Sequence, residues 1–171
     1  MHAGNRHVTG RAAPEMIRRW LSEVTDPEIP VLTIEDLGVL RDVRWEGDQL
    51  HVVITPTYTG CPAMMAIRME IVRTLQAHGI EQVRIEERIS PAWTTDWLNE
   101  DGRRKLREYG IAPPEGQAGG RSALFGEPAR PECPQCGSWN TEQTSEFGST
   151  ACKALYRCRE CLEPFDYFKC I

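Results

Sequence analysis

A chain of 171 residues with 40% hydrophobic content can form one domain or two small ones with a modest core, and it holds no apolar run long enough to span a bilayer. Twenty Lys and Arg against 25 Asp and Glu give a formal net charge of −5 spread over both halves, which provides no basic field for phosphate backbones and disfavours nucleic-acid binding. The polar first residues carry neither a secretory nor an anchoring pattern, so a cytoplasmic chain without a membrane partner is expected.

From Pro14 to Val24, apolar residues at Met16, Ile17, Trp20, Leu21 and Val24 fall on one face of a helix. The prolines of Thr25-Asp26-Pro27-Glu28-Ile29-Pro30 end it in a tight acidic turn. Asp26 and Glu28 are candidate functional carboxylates, although Asp before Pro often caps its own turn, which accounts for Asp26 without any further role. Residues 41–45 and 50–55 then pair as a hairpin across Glu46-Gly47-Asp48.

The second hairpin strand leads through Pro56-Thr57-Tyr58-Thr59-Gly60 to Cys61-Pro62 and a helix running to His78, stopped by Gly79. Cys61 at the N-cap of that helix would feel unpaired N–H groups and the positive end of the helix dipole. Its thiol is therefore expected below the ordinary cysteine value, ready to act as nucleophile or soft-metal ligand, or else to fill the core as a small hydrophobe. Residues 82–89 make a third strand with Val83, Ile85, Glu87 and Ile89 on one face. Trp93 and Trp97 follow directly; they close the core or wall the space beside Cys61. Thr94 or Thr95 caps a short helix, and Asn99 or Asp101 a second that stops at Gly110.

The expected fold class is α/β (α+β): a small mixed sheet with order α-β-β-α-β-α over residues 12–111, a Pro/Gly-rich linker over 112–131, and an all-β zinc ribbon over 132–171. The linker holds Pro113, Pro114, Pro128, Pro131 and four glycines with no apolar period. Six of the seven cysteines lie from Cys133 onward, a density that in a reducing compartment points to metal rather than disulfides. Cys133-Pro134-Gln135-Cys136 and Cys158-Arg159-Glu160-Cys161 are two CxxC knuckles at zinc-ribbon separation, and four thiolates close a structural site with no open position for catalysis. Cys152 and Cys170 remain over; they support the cage, fill the core, or make a second metal site.

The blocks Asp26-Pro27-Glu28-Ile29-Pro30, Asp36-Leu37-Gly38, Thr55 to Pro62, Ser90-Pro91-Ala92-Trp93 and Phe147 to Cys158 resemble the PaaD-like family of the phenylacetyl-CoA epoxidase system, in which a SufT-like iron–sulfur assembly domain is fused to a zinc ribbon. The resemblance implies an accessory, non-enzymatic role in aerobic phenylacetate degradation: assembly of the iron or iron–sulfur centre of a partner, either the di-iron oxygenase or the iron–sulfur flavin reductase. Cys61, with Asp26 and Glu28, would handle a transient iron or cluster, and a homodimer is implied as well. Three other roles compete. A non-catalytic docking component of the same complex would leave Cys61 structural. A thiol enzyme lacks a histidine near Cys61 in sequence, and a nucleic-acid-binding ribbon is disfavoured by charge.

Overall fold

The amphipathic stretch after Pro14 folds as helix α1 (Pro14–Leu21), with the proline in the first turn, where its missing N–H costs nothing, and with Ile17 and Leu21 buried. The computed structural model describes residues 11–115 and 129–169. Helix α1 is a few residues shorter than its periodicity predicts. Val24 is still buried, but in the turn that follows, closed by a Thr25–Thr33 bridge and by the Asp26 N–H donating to the Leu32 carbonyl at 2.9 Å.

Strands β1 (Leu40–Glu46) and β2 (Gln49–Ile54) pair antiparallel across Gly47-Asp48, with Gly47 at φ +57, the left-handed conformation a two-residue hairpin turn demands. Helix α2 (Ala63–Ala77) then returns the chain so that β3 (Val83–Glu87) lies parallel to β2. The three-stranded sheet has order β1-β2-β3 and is mixed, as expected. Its central strand is buried from Leu50 to Ile54, while on the edge strand Val83 and Ile85 are only half-covered. Glu87 and Ile89, placed by alternation on the same face as Val83 and Ile85, are exposed; Glu87 lies 3.5 Å from Arg68 of α2.

Beyond β3 the chain folds back over the ends of the strands. Trp93 is buried and its indole N–H donates to the Leu37 carbonyl at 2.7 Å. A single 3-10 turn (Thr95–Trp97) follows, preceded by Thr94 without a side-chain cap, and then α3 (Glu100–Glu108), whose N-cap Asn99 accepts from the Gly102 N–H at 2.7 Å. Asp36 ties the turn before β1 to this helix, accepting from Lys105 Nζ at 2.6 Å and from the Thr33 N–H at 3.0 Å.

The second sheet has order β4-β7-β6-β5, built from β4 (Ile111–Ala112), β5 (Thr141–Ser145), β6 (Lys153–Cys158) and β7 (Pro164–Phe168). Strand β4 sits where the linker was expected to begin and pairs parallel with β7, Ile111 opposite Asp166. Residues 116–128 of that linker lie outside the described residues. One core cluster gathers α1, the three-stranded sheet, α2 and Trp93, and takes in Cys152 and Phe168 from the ribbon; a second, inside the ribbon, holds Tyr156, Phe165 and Tyr167 beside Cys133 and Cys158. Among the described residues no helix is long and apolar enough to cross a membrane.

Candidate metal centres

Two tight turns bring four sulfurs together at one end of the ribbon. In the first, the Gly137 N–H returns to the Cys133 carbonyl at 2.9 Å; in the second, the Glu160 N–H donates to Cys158 Sγ at 3.4 Å. The Cys133–Cys161 and Cys136–Cys158 sulfurs stand 3.7 and 3.5 Å apart, and all four lie within 4.8 Å of one another. Zinc–sulfur bonds of ~2.3 Å in a tetrahedron imply sulfur–sulfur edges of roughly 3.8 Å, close to the two shortest edges here, so the quartet suits zinc.

Hydrogen bonds from the Cys161 and Glu160 amides bring the Cys158 thiol down to about 7. At Cys161 the Glu163 amide pulls the same way, but desolvation and the crowding of Cys136, Cys158 and Cys133 push the thiol up to about 12. Four such thiols ionise together only around a cation.

The second centre is built on Cys61, and here one sequence expectation is corrected. Pro62, not Cys61, is the N-cap of α2. Burial raises the Cys61 thiol above its ordinary value, overriding the hydrogen bonds from the Ala63 amide and from the Tyr58 and Thr57 side chains that favour the thiolate. The helix amide does reach the sulfur, yet the buried position outweighs it. The result is a buried thiol held in its neutral form.

The acidic turn lies beside it. Asp26 Oδ1 accepts from the Glu28 N–H at 2.7 Å and the Ile29 N–H at 3.1 Å, the turn-capping geometry its position before Pro27 predicts. Burial raises the Asp26 carboxyl in spite of those bonds, and burial together with the Asp26 charge raises that of half-buried Glu28. Glu28 in turn acts electrostatically on the Cys61 thiol.

Cys152, in the loop before β6, joins the same core cluster as Cys61. It is buried, its thiol lies 3.0 Å from Thr150 Oγ1, and it is raised first by burial and then by the charges of Glu28 and Asp26. Burial raises the Tyr58 hydroxyl, and the charges of Cys61, Glu28 and Cys152 push it the same way. Buried Lys153, paired with Asp166 at 3.1 Å, offsets the acidic charge of Asp26 and Glu28. Glu28 thus acts electrostatically on both Cys61 and Cys152, and Asp26 on Glu28 and Cys152. Trp93 closes the core where the domains meet, and Cys170 lies outside the described residues. Tyr58, Thr57 and Lys153 escaped sequence reasoning; the only sign of them was their place next to Cys61 and Cys152. Among the described residues, the ribbon quartet is the only group of three or more metal-type donors drawn within 4.8 Å, so the Cys61 set is more open than the zinc cage.

Comparison with known proteins matches two segments of the chain. A family model for an iron–sulfur cluster assembly protein matches residues 14–86, and one for the PaaD zinc beta ribbon domain matches residues 117–169. The amino-terminal fold is similar to the crystal structure of a DUF59 domain from Bacillus anthracis, at a TM-score of 0.50 and 23% identity over 54% of this chain and 90% of that one. Fold and cysteine cage together define an assembly-type α/β domain joined to a zinc ribbon.

Two curated proteins are similar in sequence. A protein of Escherichia coli (strain K12), provisionally named as a subunit of 1,2-phenylacetyl-CoA epoxidase, is 49% identical over 162 residues, covering 94% of this chain and 96% of its own length. The Fe-S protein maturation auxiliary factor YitW of Bacillus subtilis (strain 168) is 32% identical over 90 residues, 52% of this chain and 87% of its own length. The chain belongs to the PaaD-like family of phenylacetyl-CoA epoxidase subunits.

Proposed function

We propose that this chain is a cytoplasmic accessory factor of the phenylacetyl-CoA ring-1,2-epoxidase system, without catalytic activity of its own. It holds iron or an iron–sulfur cluster at Cys61, beside Glu28 and Asp26, on the way to the metal centre of the oxygenase or the reductase. One observation carries this reading: Cys61 is a buried free thiol at the entrance to α2, under the electrostatic influence of Glu28, within the segment matched by the assembly family. Such a sulfur is stabilised as thiolate once a thiophilic cation arrives, and the proton leaves to solvent. The zinc ribbon is structural, and a homodimer in solution belongs to the same proposal.

The test is complementation. In cells lacking the chain, wild type should restore ring epoxidation and Cys61→Ser should not, and the partner's iron content should fall with the variant. Full activity with Cys61→Ser would leave the thiol structural. A docking role in the same complex would then be the better reading, and one feature favours it: Met65 and Met69 of α2 are 68% and 67% exposed and line an apolar groove with Val72, Val83 and Ile85. That role predicts a fixed-stoichiometry complex lost on Met69→Lys and indifferent to Cys61.

A further inference from the structure

Strand β3 is the edge of the amino-terminal sheet, and among the described residues no strand pairs with its outer side. The Leu50 N–H donates to the Gln82 carbonyl at 2.9 Å and the Arg88 N–H to the Ile54 carbonyl at 2.8 Å, so the even-numbered residues of this segment turn their backbone groups towards β2. In a parallel ladder the residues between them face the other way, which leaves the N–H and C=O groups of Val83, Ile85 and Glu87 pointing outward. Such an edge is a template for another strand. The side chains of Val83 and Ile85 line an apolar groove with the exposed Met65 and Met69 of α2. Alternation puts Arg84 and Glu86 on the opposite face, where Arg84 stands 3.9 Å from Glu46 and Glu86 lies 3.0 Å from buried His51.

We propose that the occupant of this edge is a second copy of the chain, its β3 antiparallel to the first and centred on Ile85, so that the two sheets join into one across a two-fold axis. The charge pattern of Val83-Arg84-Ile85-Glu86-Glu87 is what selects a copy of itself. In that register Ile85 opposes Ile85 of the copy as a hydrogen-bonded pair, Val83 opposes Glu87, and Arg84 opposes Glu86, twice over by symmetry. Opposite charges directly across a strand pair stabilise it, and like charges oppose it. Moving the centre to Arg84, Glu86 or Glu87 sets like charges face to face, and moving it to Val83 leaves most of the strand unpaired. A two-fold axis normal to the sheet keeps both α2 helices on one face, so the two grooves meet and cover the methionines that each copy alone exposes. This deepens the homodimer part of the function proposed above by naming the surface on which the copies meet, and it does not involve Cys61.

The experiment is sedimentation equilibrium of the zinc-loaded full chain. Wild type should be a dimer. Arg84→Glu and Glu86→Arg should each raise its dissociation constant at least ~10-fold, because each variant sets like charges opposite one another at two places. Mixed in equal amounts, the two variants should recover the dimer, since every cross-strand pair is then again of opposite sign. Thermal unfolding reports whether each variant has folded. Hydrogen exchange of wild type needs no variant: the Val83, Ile85 and Glu87 amides should exchange slowly in the dimer and quickly in the diluted monomer. A dimer that keeps its affinity in both folded variants, fails to recover on mixing, or exchanges those amides quickly overturns this interface while leaving a homodimer in place. A wild-type monomer overturns both and leaves the edge to a different partner chain.

Discussion

Phe168, the last residue of the ribbon's β7, packs edge-on against Trp93 of the amino-terminal domain, with ring centroids 6.1 Å apart and planes at 74°. The indole is anchored in its turn to the Leu37 carbonyl at 2.7 Å. The ribbon is therefore seated on the core of its neighbour. Replacing a fully buried Phe by Ala costs about 3–5 kcal/mol through lost burial and the cavity left behind. Phe168→Ala should split one cooperative calorimetric transition into two. A single transition merely shifted to lower temperature would show that other contacts carry the joint.

Gly38 is held at φ +66, and a Cβ built on it would stand 2.7 Å from both Trp97 Cβ and the Trp97 carbonyl oxygen. Strain of this backbone kind is worth about 1–3 kcal/mol, and here a collision with backbone atoms is added. Gly38→Ala should lower the urea midpoint well beyond Gly47→Ala, where φ is +57 but nothing lies within 4 Å of the added carbon. Equal shifts in the two variants would mean that the Trp97 contact yields freely.

Zinc removal should reach further than the ribbon. Cys133→Ser or Cys158→Ser, each breaking the cage, should lose zinc and the β5–β7 signal in circular dichroism. Since Cys152 and Phe168 belong to the core shared with Trp93, the near-ultraviolet tryptophan signal should change as well. A ribbon-only loss, with the tryptophan signal intact, would show that the amino-terminal core closes without its neighbour.

The carboxylates should respond to pH in opposite senses. Asp26 and Glu28 have raised folded values, first through burial, so the folded chain holds those protons more tightly than the unfolded one. Their contribution to stability is present below the unfolded values of 3.8 and 4.5 and is lost as pH rises through the raised folded ones. Asp36 is lowered in spite of its burial by the Lys105 and Thr33 hydrogen bonds; its contribution is present above 3.8 and is lost as pH falls through the lower folded value. Urea unfolding from pH 8 down to below pH ~3, read as variant minus wild type, should therefore show Asp26→Asn at its least harmful at neutral pH. Its Oδ1 still accepts the two turn amides while the charge is gone. Asp36→Asn should be most harmful at neutral pH and less so in acid. Parallel profiles would mean that neither charge is held as the geometry indicates.

Local spacing carried much of this protein in its sequence. The two CxxC pairs specify a tetrahedral cage because each ligand pair comes from one tight turn, and the Asn99 cap, the stops at Gly79 and Gly110 and the hairpin at Gly47-Asp48 need only their near neighbours. Asp26 likewise caps the turn in which it stands. The sign of the Cys61 shift was beyond such reasoning, since helix-end electrostatics is local whereas burial depends on what packs over the loop. For the same reason nothing local shows that Ile111–Ala112 joins the ribbon sheet, that Lys153 offsets the acidic turn, or that Cys152 packs into the amino-terminal core. Those are relations between segments distant in the chain, which only the tertiary fold, with the ribbon's Phe168 packed against Trp93, brings about.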